Sequence, residues 1–184
     1  MRGLSAGLLN HLDFNDDSGR AALARHAPGL KGQVTAMSEE KLKRYAQRVG
    51  YTPNETDAFR ESGHRIRHID RLSEAAALYS IVAEVVEARH CNSGHKVGQK
   101  LVLDVDGNFI TKLCPSRICV YLASQLTIPV ALINERLSEK LNPGDFHFMR
   151  YVRCPDAGVE CLGYGEVKLK VEVLPRGHQG APDF

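Results

Sequence analysis

The spacing of apolar residues changes once along this 184-residue chain, close to Tyr79. Before that point apolar residues recur every three or four positions, which is typical of amphipathic helices. After it several stretches alternate. In the clearest, residues 166–174, Val and Leu alternate with Lys and Glu, as in a strand that buries one face. Because the two periods are segregated, the sequence predicts an α+β fold: an N-terminal helical region, then an antiparallel β-sheet domain with two packed helices.

Three helix starts are visible in the first 78 residues. Ser18 and Ser38 are candidate N-caps of the first two helices. The third start, Thr52-Pro53-Asn54-Glu55, combines a capping Thr, Pro at the first helical position and Glu three residues after the cap, which is a capping box. Ser62-Gly63 interrupts the pattern that follows, so residues 53–78 are expected to form one kinked helix or two.

The later residues predict a sheet and a domain boundary. Asp106-Gly107 is typical of a tight hairpin turn. The predicted strands are residues 79–90, the hairpin arms 101–105 and 108–111, 146–152 and 166–174. The predicted helices are 115–123 and 129–141. The expected organisation is a helical extension or cap over residues 1–78, a Cys/His metal-site domain over 79–175 and a disordered tail over 176–184.

Composition argues against several classes of protein. The formal net charge is +2, too small to indicate a nucleic-acid surface by itself. The most apolar stretch, residues 118–133, is broken by polar residues and Pro129, so no membrane span is expected. No secretory signal is visible. Five cysteines without such a signal favour reduced thiols or metal ligands in a cytoplasmic protein.

Four residues from three segments form the main candidate site. Cys91 and His95 are separated by three residues across a Gly-containing turn, and Cys114 and Cys154 each precede a Pro. Three thiolates and an imidazole suit tetrahedral zinc, whereas three thiolates alone would leave an iron–sulphur cluster with an open iron. The alternative is that these cysteines are small buried residues at strand ends. The pattern predicts zinc or an iron–sulphur centre held by Cys91, His95, Cys114 and Cys154.

Two neighbouring side chains are candidates for proton transfer, and two cysteines are not. His95 could serve as ligand or as general acid and base. Asp156 could act as a base, accept a hydrogen bond from a ligating histidine, or simply close a turn. Cys119 and Cys161 lie among apolar residues, so both are predicted to be core residues.

The motif order resembles a family of small uncharacterised prokaryotic Cys/His proteins. The resemblance covers about residues 80–174 and rests on C-x-x-G-H-x-x-G (Cys91, Gly94, His95, Gly98), Leu113-Cys114 and Cys154-Pro155-Asp156. It implies a shared Cys/His site but names no substrate. The nearly eighty residues that precede it depart from the family and suggest a cap, an oligomer contact or a substrate-binding element.

The extension carries a basic stripe. Five basic residues would share one face of a continuous helix: Arg60, His64, Arg67, His68 and Arg71. They form a solvated face balanced by neighbouring acids, or a wall that binds an anionic substrate, or, for His64 and His68 alone, a pair of metal ligands one helical turn apart. The second interpretation assigns them to substrate binding.

Two functional hypotheses depend on a metal centre, and a third is a metal-free ligand-binding or regulatory domain with core cysteines. The first is a small cytosolic metalloenzyme of hydrolase or lyase type, whose centre acts as a Lewis acid on a small anionic organic substrate. The second is a non-catalytic metal- or cluster-binding accessory or interaction module. Neither requires nucleic acid or a membrane, and the helical extension could support a homo-oligomer.

Overall fold

The structure, a computed structural model, describes residues 36–177 and the side chains of residues 39–177. The chain divides into two units, residues 1–33 and 34–184, and the described residues lie in the second. The helix predicted after Ser18 and most of the predicted tail fall outside the described residues. None of the described helices is long and apolar enough to cross a membrane.

Three helices precede the sheet. They are α1 (Ala36–Val49), α2 (Pro53–Arg60) and α3 (Gly63–Leu78). The capping box at α2 is confirmed: the Thr52 hydroxyl accepts from the Glu55 N–H, and the Glu55 carboxylate accepts from the Thr52 N–H at 2.8 Å. Residues 61–62 separate α2 from α3, so the predicted stripe spans two helices. Ser38 lies inside α1, which begins two residues earlier.

The sheet has four antiparallel strands. They are β1 (Tyr79–Arg89), β2 (Lys100–Leu103), β3 (Tyr151–Arg153) and β4 (Glu166–Pro175), in the order β2-β1-β4-β3. The two long strands confirm the predictions for residues 79–90 and 166–174. The α+β prediction is confirmed as well, with helices first and an antiparallel sheet after them.

Two predicted strands are shorter than expected. The second hairpin arm is reduced to a single bridge between Leu103 and Phe109, although the turn itself forms, with Gly107 at φ 88°. Residues 146–150 are not a strand, because the Arg150 guanidinium bonds the carbonyl oxygens of Phe146 and Gly144 and folds this segment back on itself. Only residues 151–153 pair with β4.

The first helix after the hairpin begins later than predicted, whereas the second begins two residues earlier and ends at Ser138. Residues 115–119 are not helical; α4 (Val120–Ala123) is followed by a 3-10 turn and by α5 (Thr127–Ser138). The chain before α4 runs beside β2 instead, because Cys114 is bonded to the backbone of Val102.

One face of the sheet carries the main core. Apolar residues at alternate positions of all four strands meet Leu and Ile residues from the helices there. The buried members from β1, β2 and β4 are Ile81, Ala83, Val85, Leu101, Leu103, Val167, Leu169 and Val171, and those from α4 to α5 include Leu122, Leu126, Ile133 and Leu137. A smaller cluster lies on the opposite face, where Val82, Val102 and Cys114 pack with residues of the 109–118 segment.

Helix α3 is joined to the sheet domain through the end of α5. The Arg71 guanidinium donates to the Ser138 carbonyl oxygen and lies 3.5 Å from the Glu139 carboxylate, and the His68 Nδ1 bonds the Ser138 hydroxyl. A cation at a helix C-terminus satisfies carbonyl groups that have no partner within the helix. These contacts cross the boundary predicted at residue 78, and the domain division stays a prediction.

We expect Arg71→Ala to lower the free energy of unfolding by about 1–3 kcal/mol, because the side chain makes a charge-assisted hydrogen bond while largely shielded from water. Urea titration would measure this loss. The matched control is Arg67→Ala on the same helix, whose more exposed guanidinium lies 3.7 Å from Glu139 and should contribute only about 0–1 kcal/mol. Equal losses in the two variants would contradict the role given to Arg71.

Candidate functional site

Two of the predicted ligands lie at the same end of the sheet. Cys91 follows the last residue of β1 by two positions, and Cys154 directly follows β3. Because β1 and β3 both run antiparallel to β4, their last residues, Arg89 and Arg153, both lie near the first residues of β4. Both cysteines are partly buried and pack against the main core.

Gly165 ties the two loops at this end together. A Cβ at Gly165 would lie 2.3 Å from the carbonyl oxygen of His90, so only glycine allows the two backbones to approach this closely. His90 has a positive φ of 50°, which turns the chain sharply into the Cys91–His95 segment. The loop after β1 and the loop before β4 are therefore held against each other.

Cys119 also lies at this end of the sheet, and its predicted role as a core residue is confirmed in part, because it packs against the main core without being fully buried. It is partly exposed, packs against the same core as Cys91 and Cys154, and its side chain bonds that of Ser93. Burial raises the pKa of the Cys119 thiol, but hydrogen bonds from Ser93 and from the backbone N–H groups that begin α4 outweigh it and lower the pKa overall. The sequence placed this cysteine one turn from Pro115 but gave no sign of its contact with Ser93.

Cys114 lies on the other face of the sheet. It is 5% exposed and belongs to the small cluster with Val82 and Val102. Its sulphur accepts from the Val102 N–H at 3.2 Å and donates to the Val102 carbonyl oxygen at 3.4 Å, groups that β2 presents at the free edge of the sheet. Burial raises the pKa of this thiol. The structure gives Cys114 the role of covering a sheet edge, not that of a ligand beside Cys91.

The four predicted ligands do not form a metal site in the structure. Among residues 36–177, no group of three or more His, Cys, Asp or Glu side chains is arranged so that it can hold a metal ion. His95 is 5% exposed, and its Nε2 is buried with no hydrogen-bond partner in the described part of the chain. The zinc or iron–sulphur centre stays a prediction, and its ligand set would have to exclude Cys114.

Asp156 organises the loop that precedes β4. Its carboxylate accepts from the N–H groups of Gly158, Tyr164 and Gly165 at 3.0–3.2 Å. Hydrogen bonds from Gly158 and Tyr164 are the main reason that its pKa lies below the ordinary value. A general base needs a pKa near the working pH, so these contacts favour the turn-closing interpretation over the catalytic one.

The basic stripe is divided among structural partners. Arg60 pairs with Glu39 and Asp57. His64, exposed, lies beside the Ser62 hydroxyl. Arg67, His68 and Arg71 all face the end of α5, through Ser138 and Glu139. The five residues therefore do not form one wall, and His68 is the one of the five that lines the cavity described next.

That cavity is a groove between α1 and α3, which we call the α1–α3 groove. Its volume is about 530 Å³. One wall comes from α1, the other from α3, and Asp106 of the hairpin turn closes one end. The lining residues are Lys41, Arg44, Tyr45, Arg48, His68, Ile69, Leu72, Ser73, Ala76 and Asp106.

The apolar part of the groove is supplied by α3. Ile69, Leu72 and Ala76 follow one another at helical spacing on the face that turns toward α1. Leu72 also belongs to the main core, and Ile69 packs against the small helical cluster of Leu42 and Phe59. These three residues form the apolar floor of the groove, and packing against two apolar clusters holds it in place.

The cations of the groove come from one face of α1. Lys41 is shielded and paired with Asp70 at 2.6 Å and Glu74 at 3.3 Å. Arg44 and Arg48 are different: their side chains are 71% and 64% exposed, and their acidic partners Glu40 and Asp106 lie at 3.5 and 3.9 Å. Exposed pairs of this kind contribute little to stability, so both guanidinium groups are free to turn toward a ligand.

Sequence reasoning missed this groove. Lys41, Arg44, Tyr45 and Arg48 lie at i, i+3, i+4 and i+7, a spacing that places them on one face of a helix. That signal is present in the sequence, but the same spacing is equally typical of a solvated face, and nothing in it shows that α3 and the hairpin turn pack beside it.

We expect Cys114→Ala to lower the free energy of unfolding by about 1–3 kcal/mol, since it leaves the buried Val102 N–H without a partner. Cys161→Ala, at an exposed position, should change it by no more than about 0.5 kcal/mol. Denaturant titration gives both values, and metal analysis of both proteins completes the test. A stoichiometric metal that is lost only with Cys114 would overturn the edge-covering role.

The Asp156 loop should respond to acid in a defined direction. Because the folded pKa lies below the ordinary value of 3.8, the carboxylate stabilises the loop fully above that value and loses its effect as the pH falls through the lowered pKa. The amide resonances of Gly158, Tyr164 and Gly165 should titrate together with a midpoint below 3.8. In Asp156→Asn this common titration should disappear. A midpoint above the ordinary value would restore Asp156 as a candidate base.

Comparison with known proteins assigns no relative. No protein-family model, curated protein or solved structure matches the chain. The resemblance to small prokaryotic Cys/His proteins over residues 80–174 therefore stays a prediction. Functional inference rests on the two regions described above, the cysteine-bearing end of the sheet and the α1–α3 groove.

Proposed function

We propose that this protein binds a small amphipathic organic acid in the α1–α3 groove. The observation that carries the proposal is the combination of an apolar floor with two exposed, loosely paired guanidinium groups along one rim. Small-molecule sites in proteins are concave, mostly apolar and provided with a few polar groups that orient the ligand. The α1–α3 groove has each of these properties.

The size of the groove supports a ligand larger than a simple anion. Its volume of about 530 Å³ lies within the roughly 300–1,000 Å³ that is typical of small-molecule sites. An inorganic ion would leave the partly exposed Ile69 and Ala76 in contact with water. A ligand with an apolar body would cover these side chains, and the hydrophobic effect would contribute to its affinity.

The guanidinium groups support an acid as the polar part of the ligand. Arg44 and Arg48 lie one turn apart on α1, so their side chains are neighbours on one face. A planar guanidinium matches the geometry of carboxylate and phosphate oxygens and can bond them through two N–H groups. The nearby Tyr45 ring, which lies 5.3 Å from the Arg48 guanidinium carbon, supports that side chain by a cation–π contact.

The proposal keeps one part of the sequence prediction and leaves another open. A small anionic organic ligand was expected, but bound by the Arg60–Arg71 stripe; the groove offers Arg44 and Arg48 instead. A metal-dependent hydrolase or lyase activity stays a prediction, as do the cytoplasmic location and a homo-oligomeric state. The alternative of a non-catalytic metal- or cluster-binding module also stays a prediction, whereas ligand binding without a metal needs only the groove.

Arg44→Gln/Arg48→Gln is the variant that tests this function. Isothermal titration with 3-phenylpropionate and octanoate should show saturable binding to the native chain and a loss of about tenfold or more in the double variant, since two charge-assisted contacts are removed. Arg117→Gln, an exposed arginine outside the groove, is the matched control and should bind like the native chain.

A steric variant provides an independent arm. Ser73 lines the groove with an exposed side chain whose only hydrogen bond among the described residues is to the Asp70 carbonyl oxygen of its own helix. Ser73→Phe should therefore fill the groove without disturbing the core and should abolish binding. Failure of both acids to bind the native chain, or binding that neither variant weakens, would overturn the proposed function.

A further inference from the structure

The groove holds opposite charges at one end. Arg48 and Asp106 both line it, and the nearest guanidinium nitrogen and carboxylate oxygen are 3.9 Å apart. Asp106 is the one carboxylate among the lining residues. A site selected only for anions would gain nothing from a carboxylate at this position, because it repels an incoming negative charge.

The carboxylate is carried by a turn with little freedom to move. Asp104 accepts from the Asn108 backbone N–H at 2.8 Å, and the Gly107 N–H bonds the Asp104 carbonyl oxygen at 3.1 Å. On its other side the turn packs against α5, where a Cβ at Gly107 would lie 3.3 Å from a Val130 methyl carbon. Asp106 is thus held at the end of the groove by a fixed backbone.

The separation of the two charges leaves both of them incompletely satisfied. Tight ion pairs elsewhere in the structure are much shorter, as in Lys41 with Asp70 at 2.6 Å. At 3.9 Å the two charged groups attract each other without a direct hydrogen bond. Each can therefore accept a ligand group of opposite charge while the other remains in place.

We propose that the ligand of the α1–α3 groove is a zwitterion, an α-amino acid or closely related compound with an apolar side chain. This inference rests on the proposed function and narrows its ligand class. The ligand carboxylate bonds Arg48 and Arg44, the ligand ammonium bonds Asp106, and the apolar side chain covers Ile69, Leu72 and Ala76. In an α-amino acid both charged groups sit on one carbon, which suits two protein charges that are close neighbours.

Other ligand classes match the groove less well. A dianion such as a phosphate monoester would meet the Asp106 carboxylate with no group to pair it. A simple amine would meet Arg44 and Arg48 unpaired. Both classes leave at least one charged group of the groove desolvated without a partner, and such unpaired groups are the basis of discrimination between similar ligands.

Three probes that share one ring system separate these classes. L-phenylalanine carries both charges, 3-phenylpropionate lacks the ammonium and 2-phenylethylamine lacks the carboxylate. Titration calorimetry of the full chain at low ionic strength should rank phenylalanine first, by about fivefold over each of the others, since each of the others lacks one of the two charged groups that the groove can pair.

Asp106→Asn is the decisive variant. Loss of the carboxylate should weaken the binding of phenylalanine by about fivefold. The binding of 3-phenylpropionate should stay unchanged or become tighter, so that the preference between the two probes reverses or vanishes. Asp145→Asn, at an exposed position outside the groove lining, should keep the native ranking. Circular dichroism of both variants confirms that the fold is kept.

The outcomes distinguish this inference from the proposed function. If 3-phenylpropionate binds the native chain at least as tightly as phenylalanine, or if Asp106→Asn leaves the ranking unchanged, the zwitterion is overturned while acid binding stands. If none of the probes binds, or if the Arg44→Gln/Arg48→Gln variant binds them all like the native chain, both proposals fall. If phenylalanine binds the native chain most tightly and Asp106→Asn removes this preference, both proposals are supported.

Discussion

The pairing of β1 with β4 is the constraint on which the rest of the described structure depends. The two long strands pair along nearly their whole length, and their alternate residues supply most of the buried sheet positions. Strands that bury one face fix their register strongly, because a slip of one residue would turn every apolar side chain toward solvent. With this ladder set, β2 and β3 can remain short edge strands. The same ladder brings the loop after β1 and the loop before β4 to one end of the sheet, where Gly165 permits their close approach.

The groove is a consequence of how the helical layer is attached to this sheet. Helix α3 runs directly into β1, and its other anchor is the end of α5, through Arg71 and His68. Those two contacts hold the face of Ile69, Leu72 and Ala76 beside the hairpin turn, and α1 then packs along α3 through the Lys41 pairs. Charges that the sequence suggested for substrate binding are used to hold the helices in position. Arg44 and Arg48 on α1 are less constrained, and they line the groove between α1 and α3.

Features that depend on local chemistry could be predicted from the sequence. The capping box at Thr52, the turn at Asp106-Gly107 and the alternation in β4 each rest on a few adjacent residues, and the structure has all three. Features that depend on tertiary register could not. A bulge in β1 between Val85 and Glu87 shifts the alternation, so parity counted along the sequence no longer gives the face on which residues near Cys91 lie. The path of the 109–118 segment across the edge of β2 likewise decides two positions. It places Cys114 on the opposite face of the sheet, and it brings Cys119 beside Ser93.

Cys114 and Asp156 show why residue type is a weak guide to chemistry in this chain. A thiol and a carboxylate are typical of metal and proton-transfer sites. Each can also form hydrogen bonds with backbone groups that would otherwise have no partner. Cys114 does this for the Val102 N–H, and Asp156 does it for three N–H groups of one loop. The burial that raises the pKa of the first and the hydrogen bonds that lower the pKa of the second both move these groups away from reactivity near neutral pH. Arg48 and Asp106 are the contrasting case. Their side chains are not engaged by backbone groups in the described part of the chain, they carry opposite charges close together, and they line the same cavity. The proposed binding site therefore rests on partly satisfied groups beside an apolar floor, and not on the most chemically distinctive residue types.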